Sequence, residues 1–178
     1  TATRDKIQRF LRDVGEEKKE NPSFQAPGGV APHAGWEFSG RLALEVLLNL
    51  DREAETVVVV GGHMTASEGV VAAFEDAYET PLGTIEADRE LLEEIKNAID
   101  CREDRYADNT VEVQLPLVRY VFPDASALAL RVSPSREAVE LGEIIEKSAA
   151  ELNRKVVVLG STDLTHYGPS YGFTPRGR

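Results

Sequence analysis

A single cysteine, Cys101, rules out an internal disulfide. It sits in the charged stretch Asp100-Cys101-Arg102-Glu103-Asp104 with no histidine or second cysteine nearby, which gives it a structural or merely exposed reading. No apolar run approaches the roughly 18 residues that a membrane span needs, and the N-terminal stretch lacks a basic-then-apolar secretory pattern. The expectation is a soluble, cytoplasmic chain with no membrane partner. Dense Lys/Arg clusters are missing too, against a formal charge of -11, so a phosphate backbone is repelled and nucleic acid is not an expected partner. HExxH, CxxC and GxSxG are all absent, which removes the commonest zinc signatures and the nucleophile elbow of α/β-hydrolases. There is no internal repeat and no low-complexity tract.

What is present suits one globular domain spanning 1–178: 178 residues, 42% hydrophobic and 29% charged, are enough to bury a core without staples. Ile7, Phe10, Leu11 and Val14 share one helical face, and Asp13 and Glu16 fall outside it. The polar stretch Glu20-Asn21-Pro22-Ser23 and then Pro27-Gly28-Gly29 end that helix and lead into a short apolar segment, Val30-Ala31, followed by a loop from Pro32 to Gly40. Leu42, Ala43, Val46, Leu47 and Leu50 mark a second helix. The β-branched run Thr56 to Val60 reads as a strand buried on both faces. Val70 to Phe74 predicts a strand, Leu91, Leu92 and Ile95 a helix after Asp88, and Asn109-Thr110-Val111-Glu112 a capping box with Asn109 as the cap. Ala127 to Leu130 predicts another strand, Ser133-Pro134 a cap with proline at the first helical position, Leu141 to Leu152 a helix stripe, and Val156 to Leu159 a second fully apolar strand. Strands alternating with helices predict an α/β fold with a mainly parallel sheet covered on both faces.

In such a sheet the loops leaving the carboxyl ends of the strands gather at one edge, where ligands bind. All three histidines fall in loops of that kind: His33 after Val30-Ala31, His63 after Val60, and His166 after Leu159. His63 directly follows Gly62 and His33 lies two residues before Gly35, where the backbone can turn sharply, and Asp163 precedes His166 by three residues. Neutral imidazoles with a carboxylate suit Zn²⁺ or Fe²⁺, and a His-Asp pair can equally orient a general base. Trp36, Phe38 and Tyr167 are candidates to wall a pocket, with core packing the competing role. Ser39, Ser161 and Thr162 read first as turn or cap hydrogen-bonders and second as nucleophiles.

The string Pro32-His33-Ala34-Gly35-Trp36-Glu37-Phe38-Ser39-Gly40 resembles the PHAGY-x-YSG signature of the MEMO family, also called the AmmeMemoRadiSam system protein B family. Four further blocks follow in the same order: Gly61-Gly62-His63, Glu79-Thr80-Pro81-Leu82-Gly83, Asn109 to Pro116, and Ser161 to Gly168. The resemblance implies a three-layer α/β/α fold like that of class III extradiol dioxygenases and a site binding iron or copper through two histidines and a cysteine, with redox activity. It also implies association with AMMECR1-like and radical-SAM partners, and animal members resemble adaptors for phosphotyrosine peptides. Carried over, the histidines are His33 and His63. Thr165 stands where the family has its cysteine, and Asn109 where it has a further histidine, so the third ligand falls to Asp163, His166 or water. The commoner loop after the second strand would align Met64, not His63, with the family histidine unless the loop is one residue shorter here. Family members also continue beyond a segment of this length with further helices and a strand.

The reading is therefore a metal pocket for iron, copper or zinc with His33 and His63 as ligands and no organic cofactor. Asp163 and His166 serve it as acid/base or third ligand, and Trp36, Ser39, Asn109, Thr165 and Tyr167 line a small-molecule or peptide site. The alternative is a non-catalytic ligand- or peptide-binding module built on the same pocket.

Overall fold

The computed structural model describes residues 1–14, 25–106, 108–163 and 165–175. The chain runs α1 (Ala2–Val14), β1 (Gly28–Ala31), α2 (Trp36–Leu48), β2 (Thr56–Gly61), β3 (Val70–Ala72), β4 (Ala77–Tyr78), β5 (Ile85–Glu86), α3 (Arg89–Ala98), β6 (Cys101–Glu103), α4 (Asn109–Glu112), α5 (Leu115–Val121), β7 (Ser126–Val132), α6 (Arg136–Glu151) and β8 (Val156–Ser161), then a 3-10 turn at Pro169–Tyr171. Six strands form one sheet in the order β1-β8-β2-β7-β3-β6, and β4 and β5 form a separate antiparallel pair. The first four strands in that order are mutually parallel. β3 runs antiparallel to β7, and β6 parallel to β3.

Alternation along the central strands divides the core into two layers. Val57, Val59, Ala127, Ala129, Val157 and Leu159 pack with Ile7 and Leu11 of α1, Leu44, Leu47 and Leu48 of α2, and Leu117 and Val118 of α5. Val58, Leu128 and Leu130 face the other way, onto Leu91, Leu92 and Ile95 of α3 and Leu141 and Ile145 of α6. Both faces are therefore covered, and the fold is a three-layer α/β/α sandwich with a mainly parallel sheet. No helix among the described residues is long and apolar enough to cross a membrane.

Several boundaries differ from the sequence expectation. α2 starts at Trp36, not beyond Gly40, because the helix needs no side chain at Gly40: a Cβ there would lie 2.7 Å from Phe10 Cε2, so this glycine is where α1 and α2 approach. The cap of α4 is Asp108, whose carboxylate accepts from the Thr110 amide at 2.8 Å, and Asn109 is the first helical residue. The cap of α6 is Ser135, not Ser133. Ser133 Oγ instead accepts from the Gly69 amide at 2.8 Å and ties the loop before β3 to the end of β7. β3 ends at Ala72, two residues short of Phe74. The helix-ending stretch Glu20 to Ser23 lies outside the described residues. Cys101 is half-buried on β6, and burial, opposed by Lys96 and reinforced by Asp100, pushes its thiol up to about 11.

Candidate functional site

Because β8 lies between β1 and β2 and all three are parallel, the loops after Ala31, Gly61 and Ser161 leave the sheet side by side at its carboxyl edge. Those loops carry His33, His63 and Asp163. The packing beneath them is held by Gln114, 1% exposed, whose Nε2 donates to Pro32 O at 2.9 Å and to Ser161 Oγ at 3.0 Å. Ser161 Oγ in turn donates to Thr110 O. One amide thus fastens the ends of β1 and β8 to the helical segment between them. Gln114 lies inside the Asn109 to Pro116 block, and no motif in the sequence marks it for this role. Its only signal was a polar residue followed directly by the apolar start of a helix.

His33 is 5% exposed. Its backbone amide donates to Asp163 Oδ1 at 3.0 Å, which fixes the first loop against the third. The imidazole Nδ1 and Nε2 are both buried with no hydrogen-bond partner, although burial makes such partners valuable. Nε2 lies 3.8 Å from Asp163 Oδ2. The ring of His63 meets that of His33 edge to face, with centroids 4.8 Å apart and planes at 78°.

His63 is half-exposed and adopts φ +59°, a left-handed conformation uncommon for a residue with a side chain. Its Nδ1 is 3.1 Å from Asp108 Oδ2. Asp108 is bound at Oδ1 by the amide and hydroxyl of Thr110. Arg131, 6% exposed at the end of β7, grips Asp104 with two hydrogen bonds of 2.6 and 2.7 Å and places Nη1 3.7 Å from Asp108 Oδ2 and 3.4 Å from Gly62 O.

On the far side of His33, His166 Nε2 is 3.2 Å from Asp163 Oδ2, and the His166 ring stacks on Tyr171 at 4.8 Å. Burial alone would raise the Asp163 carboxyl. The His33 amide, the His33 ring and His166 outweigh it and hold Asp163 below its usual range. Burial likewise opposes, and Thr110, Arg131 and His63 together overcome it, at Asp108, whose carboxyl is also lowered. The result is a continuous row, Asp108–His63–His33–Asp163–His166.

The contacts of the other sequence candidates run elsewhere. Trp36 packs edge-on against Phe10 and donates its indole N–H to Val113 O at 2.9 Å, and Ser39 Oγ donates to Ala34 O at 2.7 Å. Asn109 and Thr165 are exposed, and the exposed Tyr167 ring lies 5.2 Å from Phe173. Among the described residues, no group of three or more His, Cys, Asp or Glu side chains is disposed to hold a metal ion. Two openings adjoin the row. One, of about 330 Å³, is lined by Gly62, His63, Met64, Ser133, Pro134 and Thr162; the other, of about 370 Å³, by Tyr78, Asp104, Tyr106, Asp108, Val111 and Arg131.

The chain is similar in sequence to known proteins over most of its length. A family model described as "Memo-like protein" matches residues 1–176. A MEMO1 family protein of Thermococcus onnurineus is 33% identical over 183 residues, covering 95% of this chain and 62% of the relative. One from Pyrococcus abyssi is 34% identical over 187 residues, covering 97% and 63%, and one from Methanopyrus kandleri is 37% identical over 153 residues, covering 80% and 54%. The chain spans less than two thirds of the length of these curated relatives.

Proposed function

Because the chain belongs to the Memo-like family, we propose that the pocket at its carboxyl edge binds a metal ion, iron, copper or zinc, with His33 and His63 as ligands. The observation that carries this reading is the His33 imidazole, buried with neither nitrogen hydrogen-bonded and facing a second imidazole at 4.8 Å. An imidazole shut away from water without a hydrogen bond is costly unless something absent from the bare chain completes it. The donors fit such an ion in kind, since two imidazoles and a carboxylate form a common set for zinc and non-haem iron. Asp163 or water completes the set, because Thr165 in place of a thiol offers a poor ligand.

When bound, such an ion would supply Lewis-acid polarisation or one-electron chemistry. The chain's own groups have separate tasks. Asp163, held ionised, orients His33 through its amide and pairs with His166, so His166 and Asp163 together can hold and pass a proton at Nε2. His166, half-exposed and stacked on Tyr171, exchanges that proton with solvent.

A second reading, a non-catalytic module for a small molecule or peptide working with AMMECR1-like and radical-SAM partners, draws on one observation: both oxygens of Asp163 are already engaged within the protein. Metal content separates the two. Protein purified anaerobically without a His tag should carry near-stoichiometric iron, copper or zinc by plasma mass spectrometry, lost in both His33→Ala and His63→Ala. A wild-type chain that is empty and cannot be loaded would overturn the metal reading and leave the binding module.

A further inference from the structure

His63 has two nitrogens to offer, and only a bare one can ligate. Its Nδ1 lies 3.1 Å from Asp108 Oδ2, and an ionised carboxylate is an acceptor only, so the ring proton belongs on Nδ1 and the lone pair on Nε2. We propose that Asp108, set in place by Arg131, is a positioning residue that fixes the tautomer and the orientation of His63. This rests on the reading of His63 as a ligand.

Three features argue that the contact is built. Asp108 caps α4 with one oxygen, Oδ1, which takes both Thr110 donors; a cap needs nothing more, and Oδ2 is left for His63. The carboxylate cannot turn away without releasing that cap. Arg131 then reaches both sides of the histidine, with the same Nη1 beside Asp108 Oδ2 and Gly62 O, while its Nε and Nη2 are anchored on Asp104. Finally, His63 sits at φ +59°, a conformation that persists in a side-chain-bearing residue only where its surroundings over-determine it. A carboxylate behind a ligand imidazole is the usual means of raising its basicity and choosing its nitrogen.

The test reads the ring directly. Nitrogen-15 spectra of the metal-free chain at about pH 8, above the usual histidine range, should show His63 with Nδ1 protonated and Nε2 bare, the signal being identified by its loss in His63→Gln. In Asp108→Asn the cap survives, but the amide N–H faces Nδ1, so the proton should move to Nε2. Zinc affinity measured by competition should then fall about 10- to 100-fold. Asp108→Ser, which can cap but cannot reach the ring, should give a mixture of tautomers. A wild-type His63 protonated at Nε2, or the same tautomer in wild type and Asp108→Asn, would overturn the proposal, and the wild-type spectrum decides even if neither variant folds. Because that spectrum needs no metal, the expected tautomer in a chain that takes up no zinc, iron or copper supports Asp108's role while overturning the metal reading.

Discussion

Asp88 is 3% exposed, and it serves three donors at once: the Leu91 amide at the start of α3, the Thr56 hydroxyl on β2 and the Arg154 guanidinium after α6. Burial would raise its carboxyl, but those hydrogen bonds and the Arg154 charge outweigh it, and the group is held below its usual range. A depressed folded-state value means that this stabilisation is fully present above the unfolded value of about 3.9 and is lost as pH falls through the folded one. Asp88→Ala should therefore destabilise the protein by about 3 kcal/mol at neutral pH, from a lost cap and a broken buried ion pair. The gap from wild type should narrow below about pH 4. Urea denaturation at the two pH values checks both halves. Asp88 as a helix start was legible in the sequence, as were the three loop histidines. Asp108 was not, because two adjacent residues, Asp108 and Asn109, can both cap, and only the third dimension shows that the acid also faces His63.

At the scale of elements, the site depends on how closely β2 lies against α4. A Cβ on Gly61 would come within 2.2 Å of Thr110 Oγ1 and 2.9 Å of Val111 Cγ2, neither of them the end of a flexible side chain. Gly61→Ala should cost roughly 1 to 3 kcal/mol as overpacking. It should also push α4, and with it Asp108, off His63, so thermal melts should fall together with metal uptake. A variant that melts lower yet loads metal like wild type would show that this seam does not set the pocket. β2 and β8 were readable because a strand buried on both faces is a continuous apolar run. β6 was not, since Cys101-Arg102-Glu103 is a short, charged strand paired with β3 alone among the described residues. β4 and β5, two residues each, are too short for any period to register. The start of α2 was hidden because Gly40, a loop signal in isolation, is in fact the contact point for Phe10.

Across the whole molecule, the strand order turns three loops far apart in sequence into neighbours: His33 and Asp163 are 130 residues apart and share a hydrogen bond. The sequence pattern implied a common edge, but the insertion of β8 between β1 and β2 cannot be read from periodicity, which carries no information about which strand pairs with which. That order has a further effect. β1 has a single strand partner, β8, among the described residues, and its Val30 side chain is 60% exposed, whereas β2 is flanked by β8 and β7. The two imidazoles therefore stand on supports of unequal durability. Amide hydrogens along β1 should exchange with deuterium through local fraying well before those of β2, which open only with the sheet. Each such opening carries His33 away from His63. Anything that bridges the two rings acts as a rivet across the sheet, and zinc added to the chain should slow exchange along β1 while leaving β2 almost untouched.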